Sequence, residues 1–174
     1  EAGCFRIWIG AESGSQKIID AMDRRVDVDV VKSAIQNTNA LGMETGTFIM
    51  VGYPGEDDKD INETITYLKA ANPTHFTITV AYPIKGTSLY NEIKDKITEQ
   101  PNWETSTDRD IDFTRTHSRK YYDYAVRRIV NEVNYSKEIL KGPDKNLLTT
   151  FKLKTKSILA QTKFIKDVIK FREV

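Results

Sequence analysis

The chain has 174 residues, 39% of them apolar and 29% charged, with a formal net charge of +1; this is enough for one compact domain and gives no whole-chain signal for nucleic acid. Its one cysteine, Cys4, excludes a disulfide framework or a cysteine metal cluster within one copy, so a reducing, cytoplasmic setting is expected. No apolar run approaches the ~20 residues that span a bilayer, so no membrane partner is expected.

Phe5 to Ile9 reads as a buried strand interrupted only at Arg6, and near-continuous apolar strands suit a parallel sheet covered on both faces. It runs into Gly10-Ala11-Glu12-Ser13-Gly14-Ser15, a turn of small residues that carries one carboxylate. A chain that opens directly on a strand and its turn reads as cut from something longer. Ser15 to Met22 reads as a short helix, with Ile18, Ile19 and Met22 at helical spacing. Asp27 or Asp29 caps a second helix that runs to about Leu41, with Val30, Val31, Ala34, Ile35 and Leu41 on its buried side and Gly42 ending it. Thr45 to Val51 is a second strand, closed by Gly52-Tyr53-Pro54-Gly55-Glu56. Asp57, Asp58 and Asp60 place negative charge at the start of a helix carrying Ile61, Ile65, Leu68 and Ala71, which Asn72-Pro73 stops. His75 to Tyr82 is a third strand, Pro83 to Thr87 its exit loop, and Leu89, Tyr90 and Ile93 begin another helix.

Residues 1–98 thus alternate strand and helix at about 35 residues per unit, the spacing of parallel βαβ construction. From Glu99 to Asp112 the composition turns polar, a linker that Trp103 could anchor, and residues 99–117 separate the α/β part from a helical C-terminal region at 118–174. Its first helix carries Tyr121, Tyr124, Ala125, Ile129, Val133 and Ile139 or Leu140; after Gly142-Pro143 a second, basic helix carries Leu147, Phe151, Ile158, Ile165 and Ile169 at partly seven-residue steps, as in an antiparallel hairpin. From Lys141 to Val174 there are nine cations against Asp144, Asp167 and Glu173. A solvated face accounts for that excess, and nucleic acid is not the expected partner.

The candidate sites are the three strand exits, Gly10 to Ser15, Gly52 to Glu56 and Ala81 to Thr87, because ligands of parallel sheets bind at C-terminal strand ends. Glu12 either holds an ammonium or ribose hydroxyl or caps the next helix. Arg24 either reaches a ligand carboxylate or is a solvated helix-end cation. Met50 faces a cofactor or the core, and Gly52 lets a flat ring lie on the backbone or makes the turn. His75 and His117 have no second ligand at metal spacing and read as ordinary polar residues.

These residues resemble a family. Ile9-Gly10-Ala11-Glu12-Ser13-Gly14-Ser15 with Ile18-Ile19-Asp20-Ala21-Met22-Asp23-Arg24 resembles the fourth strand and helix of radical S-adenosylmethionine (SAM) enzymes. Gly46 to Glu56 resembles their fifth-strand motif, and Tyr82-Pro83-Ile84-Lys85-Gly86-Thr87-Ser88-Leu89-Tyr90 their sixth-strand exit. The resemblance covers residues 1 to about 95 and is nearest in flavour to the cobalamin-dependent branch, such as the magnesium-protoporphyrin IX monomethyl ester cyclases. It implies an α/β fold: a parallel (βα) half-barrel, strands 4–6 of a partial TIM-type barrel, followed by a helical C-terminal extension. It also implies SAM and a [4Fe-4S] cluster as cofactors of the parent enzyme, with cobalamin as a further cofactor and a small-molecule substrate. By resemblance Glu12 and Ser13 contact the SAM amino or ribose part, Arg24 faces its carboxylate, Met50 and Gly52 flank the adenine, and Tyr82 lines the same cavity. The family's Cys-x3-Cys-x2-Cys cluster loop is not in this sequence, so no catalytic or metal-ligating residue is assigned. The expected partner is then the N-terminal half of the same polypeptide, with a second copy able to pair through an exposed strand edge. The alternative is a non-catalytic α/β module whose helical tail docks a partner.

Overall fold

Capping chemistry sets most of the element boundaries in the computed structural model, which describes residues 3–99, 102, 104–105, 107–108 and 111–172. The elements are β1 (Arg6–Glu12), α1 (Gln16–Ala21), α2 (Val28–Ala40), β2 (Glu44–Val51), α3 (Asp58–Ala71), β3 (His75–Val80), α4 (Ser88–Ile93), β4 (Ile97–Glu99), β5 (Asp112–Phe113), α5 (Arg119–Leu140) and α6 (Leu147–Arg172). The Asp27 carboxylate accepts the Asp29 amide at 2.7 Å and starts α2. Asp57 and Asp60 form a reciprocal capping box that starts α3, and Asn72, left-handed at φ 48°, ends it. The Ser118 hydroxyl accepts the Tyr121 amide at 3.1 Å and starts α5.

The fold is α/β: three parallel strands in the order β1-β2-β3 alternate with helices, and two long helices follow. The register places Trp8 beside Gly46, Gly10 beside Phe48, Gly46 beside His75 and Met50 beside Thr79. Helices α2, α3 and α5 cover one face. Its core joins Ile49 and Val51 of β2, Val31 and Ile35 of α2, Ile61, Ile65 and Leu68 of α3, and Tyr122, Ala125, Ile129 and Val133 of α5. Helix α5 is therefore part of the sheet's own core. Helix α6 lies along α5, where Phe164 stacks on Tyr121 with ring centroids 4.3 Å apart.

The structure corrects four expectations from the sequence. The sheet is not covered on both faces: Trp8 and Phe48 are exposed on one of them, and Phe5 and Ile7 are exposed at the outer strand. On the open face Trp8 stacks on Phe48 at 4.8 Å and lies over Gly46, where any side chain would collide with the indole. In α2 the buried residues are Val31 and Ile35, while Val30, Ala34 and Leu41 are exposed, because only a narrow stripe meets the sheet and α3. In α6 the residues at seven-residue steps, Leu147, Phe151, Ile158 and Ile165, point away from α5, and Ser157, Ala160 and Phe164 are buried instead. Two of these are small, which lets the helices approach closely. The fourth correction lies in the polar stretch: β4 and β5 pair antiparallel, Ile97 beside Phe113, with Ile111 and Phe113 buried. Trp103 lies outside the described residues. Among the described residues β1 and β3 each pair only with β2, so both outer sheet edges are open.

Candidate functional site at the strand exits

The first exit brings Glu12 and Arg24 together. A bulge at Ala11 shifts the register between Gly10 and Glu12. Glu12 takes φ 60°, a left-handed conformation that is unusual for a residue with a side chain. Its carboxylate folds back over Gly10 on the open face and sits 3.4 Å from an Arg24 guanidinium nitrogen. A methyl group at Gly10 would stand 2.9 Å from Glu12 Oε1 and 3.4 Å from Arg24, so the ion pair occupies the space that glycine leaves. Arg24 is itself flanked by two left-handed residues, Asp23 at φ 51° and Arg25 at φ 53°. Three strained non-glycine positions thus surround one ion pair, and backbone strain of this kind, about 1–3 kcal/mol each, clusters at functional sites.

Ser13 faces the other way. It is 1% exposed. Its hydroxyl lies 3.3 Å from that of Thr64 and accepts the Ser15 amide at 3.1 Å. The Ser15 hydroxyl in turn donates to Asp60 at 2.7 Å, and Lys17 reaches the same carboxylate at 2.6 Å. A side chain at Gly14 would collide with the α3 backbone at Thr64, at 2.6 Å. The whole β1–α1 turn is therefore fastened to the start of α3, and Ser13 supports the exit from behind.

At the second exit Gly52 takes φ +83°. Its amide donates a short hydrogen bond to Glu56, which is fully buried. Burial pushes the Glu56 carboxyl up to about 8, against the opposing pull of the Gly52 amide. The second Glu56 oxygen, Oε1, has no hydrogen-bond partner among the described residues. The flat ring against Gly52 is the chain's own Tyr122, 3.5 Å from where a side chain at Gly52 would begin. A ligand ring at Gly52 has only the opposite side of the backbone, where half-buried Met50 sits beside Thr79. The Tyr53 hydroxyl donates to the Ala21 carbonyl at 3.2 Å and ties this exit to the turn that carries Arg24.

At the third exit the Ala81 amide donates to the Val51 carbonyl at 2.7 Å, extending the pairing beyond β3, and half-buried Tyr82 follows. Arg115, buried, donates to the Ala81 carbonyl at 3.1 Å, pairs with Asp112 and lies 3.9 Å above the Phe113 ring. The structure thus brings Glu12, Arg24 and Met50 to the open face and its rim. Gly52 and Tyr82 form the adjoining turns. Sequence reasoning missed Glu56, Arg115 and Tyr122. Glu56 carried a signal, a carboxylate closing a Gly-x-x-Gly turn; Arg115 stands in a stretch with no periodicity and carried none.

Residues 1–68 match the radical SAM superfamily. The matched stretch runs from β1 into α3 and contains Glu12, Ser13, Arg24, Met50 and Gly52. Among curated relatives, the ribosomal protein uS12 methylthiotransferase RimO of Treponema denticola is 36% identical over 58% of the chain, which spans 26% of that protein. The uncharacterized methyltransferase PH0819 of Pyrococcus horikoshii is 27% identical over 62% of the chain, and 24% of its own length is covered. A tRNA-2-methylthio-N(6)-dimethylallyladenosine synthase of Fervidobacterium nodosum is 28% identical over 54% of the chain and 22% of its own length. The chain thus spans about a quarter of the length of the curated relatives it matches. These relatives are named as a methylthiotransferase, a methyltransferase and a methylthio-tRNA synthase, and none is named as a cobalamin-dependent cyclase.

The radical SAM family implies SAM and a [4Fe-4S] cluster. The residues present do not fit the cluster. Cys4 is the one thiol, precedes β1 at the strand end opposite the exits, and is exposed. Among the described residues no three His, Cys, Asp or Glu side chains gather as metal ligands. They do fit the amino-acid end of SAM: Glu12 and Arg24 are one anion and one cation, side by side, matching an ammonium and a carboxylate on neighbouring atoms. Among the described residues no helix is long and apolar enough to cross a membrane.

Proposed function

We infer that this chain supplies the SAM-binding wall of a radical SAM iron–sulfur enzyme of the methylthiotransferase or methyltransferase type. The observation that carries the reading is the Glu12–Arg24 ion pair, set over Gly10 at the end of three parallel strands and framed by left-handed backbone. On binding, the Glu12 carboxylate takes the SAM ammonium and Arg24 takes the SAM carboxylate. Those two contacts replace the Glu12–Arg24 ion pair. Met50 and the open side of Gly52 flank the adenine, Tyr82 borders the same cavity, and Ser13 holds the turn through Thr64. SAM supplies the radical precursor when bound to a reduced cluster; this chain's residues bind and orient it. The cluster and the hydrogen-abstraction chemistry belong to residues outside this sequence, so the 174-residue chain alone carries no radical activity. The relatives named above favour sulfur or methyl transfer over a cobalamin-dependent cyclisation.

Titration of the isotope-labelled chain with SAM, followed by amide spectra, tests the reading. SAM is expected to shift the amides of Glu12 and Gly52, and Glu12→Gln to weaken binding about tenfold, the equivalent of ~1.4 kcal/mol. Unchanged spectra at millimolar SAM would overturn it, as would reductive SAM cleavage by these 174 residues on their own.

A further inference from the structure

Outside the strand exits, the clearest collection of unmatched chemistry lies between α5 and α6. A groove of about 330 Å³ runs there, lined by Tyr124, Arg127 and Asn131 of α5 and by Lys156, Leu159 and Lys163 of α6. None of these residues belongs to the strand exits. The Arg127 guanidinium and the Lys163 ammonium each lie 5.8 Å from the centre of the same Tyr124 ring. Lys156 lines the groove too, two helical turns before Lys163 on the same side of α6.

The charge balance of this groove differs from that of neighbouring cations. Lys69 and Lys154 both reach the Glu132 carboxylate, at 2.5 Å and 3.4 Å, and Lys17 is bound by Asp57 and Asp60. Among the described residues Arg127, Lys156 and Lys163 form no ion pair. Three like charges in one concavity repel one another, and solvent and the electron-rich Tyr124 face weaken the repulsion. An anion in the groove would remove that repulsion. Arginine offers a planar fork and lysine a mobile point charge, the pairing that suits tetrahedral oxyanions. The Tyr124 ring adds a flat apolar surface beside them.

We propose that the α5–α6 groove is a phosphate-binding site, in which Arg127, Lys156 and Lys163 hold the oxygens of a phosphate ester or diester. The chemistry is shared by two sources, a small phosphate-bearing molecule and an RNA backbone. The site is independent of the SAM reading and stands or falls on its own cations.

Calorimetric titration of the 174-residue chain with inorganic pyrophosphate, and separately with a single-stranded RNA 12-mer, tests it. Lys156→Gln and Lys163→Gln should each weaken binding at least fivefold. The exposed control substitutions Lys145→Gln and Lys152→Gln should change it less than twofold. Arg127→Lys keeps the charge but loses the fork, and should fall between. Binding of both probes through these residues, with the RNA tighter, assigns the source as a polynucleotide; binding of pyrophosphate alone assigns a small phosphate ester. Either result upholds the site. Failure of both probes to bind overturns it, and so does an equal loss in the control variants, which would mark diffuse attraction to a basic helix. All five substitutions lie on exposed side chains, and unchanged circular dichroism confirms that each variant is folded.

Discussion

Along β2, Thr45, Thr47, Ile49 and Val51 are buried beneath helices, while Phe48, between two of them, is 48% exposed. Burial alternates along β3 as well, where Phe76, Ile78 and Val80 are half-buried between exposed neighbours. The helix-covered face is closed by aliphatic side chains and by the α5 tyrosines. The open face carries Arg6 paired with Glu44, His75 at 3.4 Å from the same carboxylate, the Trp8–Phe48 stack and the Glu12–Arg24 pair. One sheet therefore separates two tasks. Stability is concentrated where apolar area leaves water, and polar and aromatic groups able to meet a ligand stand on the other side. The contrast is measurable, because a truncation on each face should differ in cost severalfold.

Leu68→Ala should have the largest effect. Leu68 is fully buried in α3, inside the cluster that joins α2, β2 and α5. Removing it deletes transfer energy and leaves a cavity, a loss of about 2–5 kcal/mol. Urea unfolding of the variant measures the loss directly. A loss below about 1 kcal/mol would mean that the helix-covered face is not where the stability resides, and the contrast between the faces would fail.

Glu56→Gln should come next, and its effect depends on pH. Burial raises the Glu56 carboxyl from its ordinary value to about 8 in the folded chain. Between about pH 4.5 and 8 the folded protein holds a proton that the unfolded chain has released, so stability falls as pH rises through that window. The contribution is fully present below the unfolded value and is lost above about 8. Across the whole window its size is on the order of 5 kcal/mol, about 3 kcal/mol of it already lost by pH 7. Glu132 behaves in the opposite sense. Burial pushes it up, but the Lys69 and Ser157 hydrogen bonds outweigh burial and hold it at about 2. Its contribution is present above the ordinary carboxylate value and lost in acid, so the two windows do not overlap. Glu56→Gln should flatten the stability profile from pH 5 to 8.5 and leave the acid limb intact. A profile equally steep in the variant would mean that Glu56 is already ionised in the folded state.

The difference between the faces also explains what could be read from the sequence. The βα alternation was legible because each unit carries its own local signals: apolar runs, the Asp27 and Asp57 caps, and Gly42 and Asn72 at helix ends. The first exit was legible as a site because a carboxylate stands among small residues where a strand ends. Which face of β1 is covered was not legible, since Phe5, Ile7 and Trp8 read as buried by composition alone. Burial there is decided by whether another layer lies above, which is tertiary information. Helix α6 failed for a related reason. Its most apolar stripe and its contact stripe differ, because Ser157 and Ala160 win the contact by size rather than hydrophobicity. Arg115 was invisible because its role depends on β5 folding back to the Ala81 carbonyl, a contact between residues 34 apart in sequence.

Phe48→Ala should have the smallest effect of the three. Phe48 keeps roughly half its surface in water already, and its main contact is the Trp8 ring at 4.8 Å with an interplanar angle of 28°. An aromatic pair of this kind is worth about 0.5–1.5 kcal/mol beyond the area it buries. No enclosed cavity forms when one side of the residue faces solvent, so the cavity penalty that dominates at Leu68 is missing. Truncation should therefore cost no more than about 1.5 kcal/mol in the same urea experiment. Phe48 is also the register partner of Gly10, over which the Glu12–Arg24 pair sits. The variant should consequently lose SAM affinity more readily than it loses stability. Stability and binding that fell together would show Phe48 to be a core residue that happens to be exposed, and binding that fell alone would place it in the wall of the ligand site.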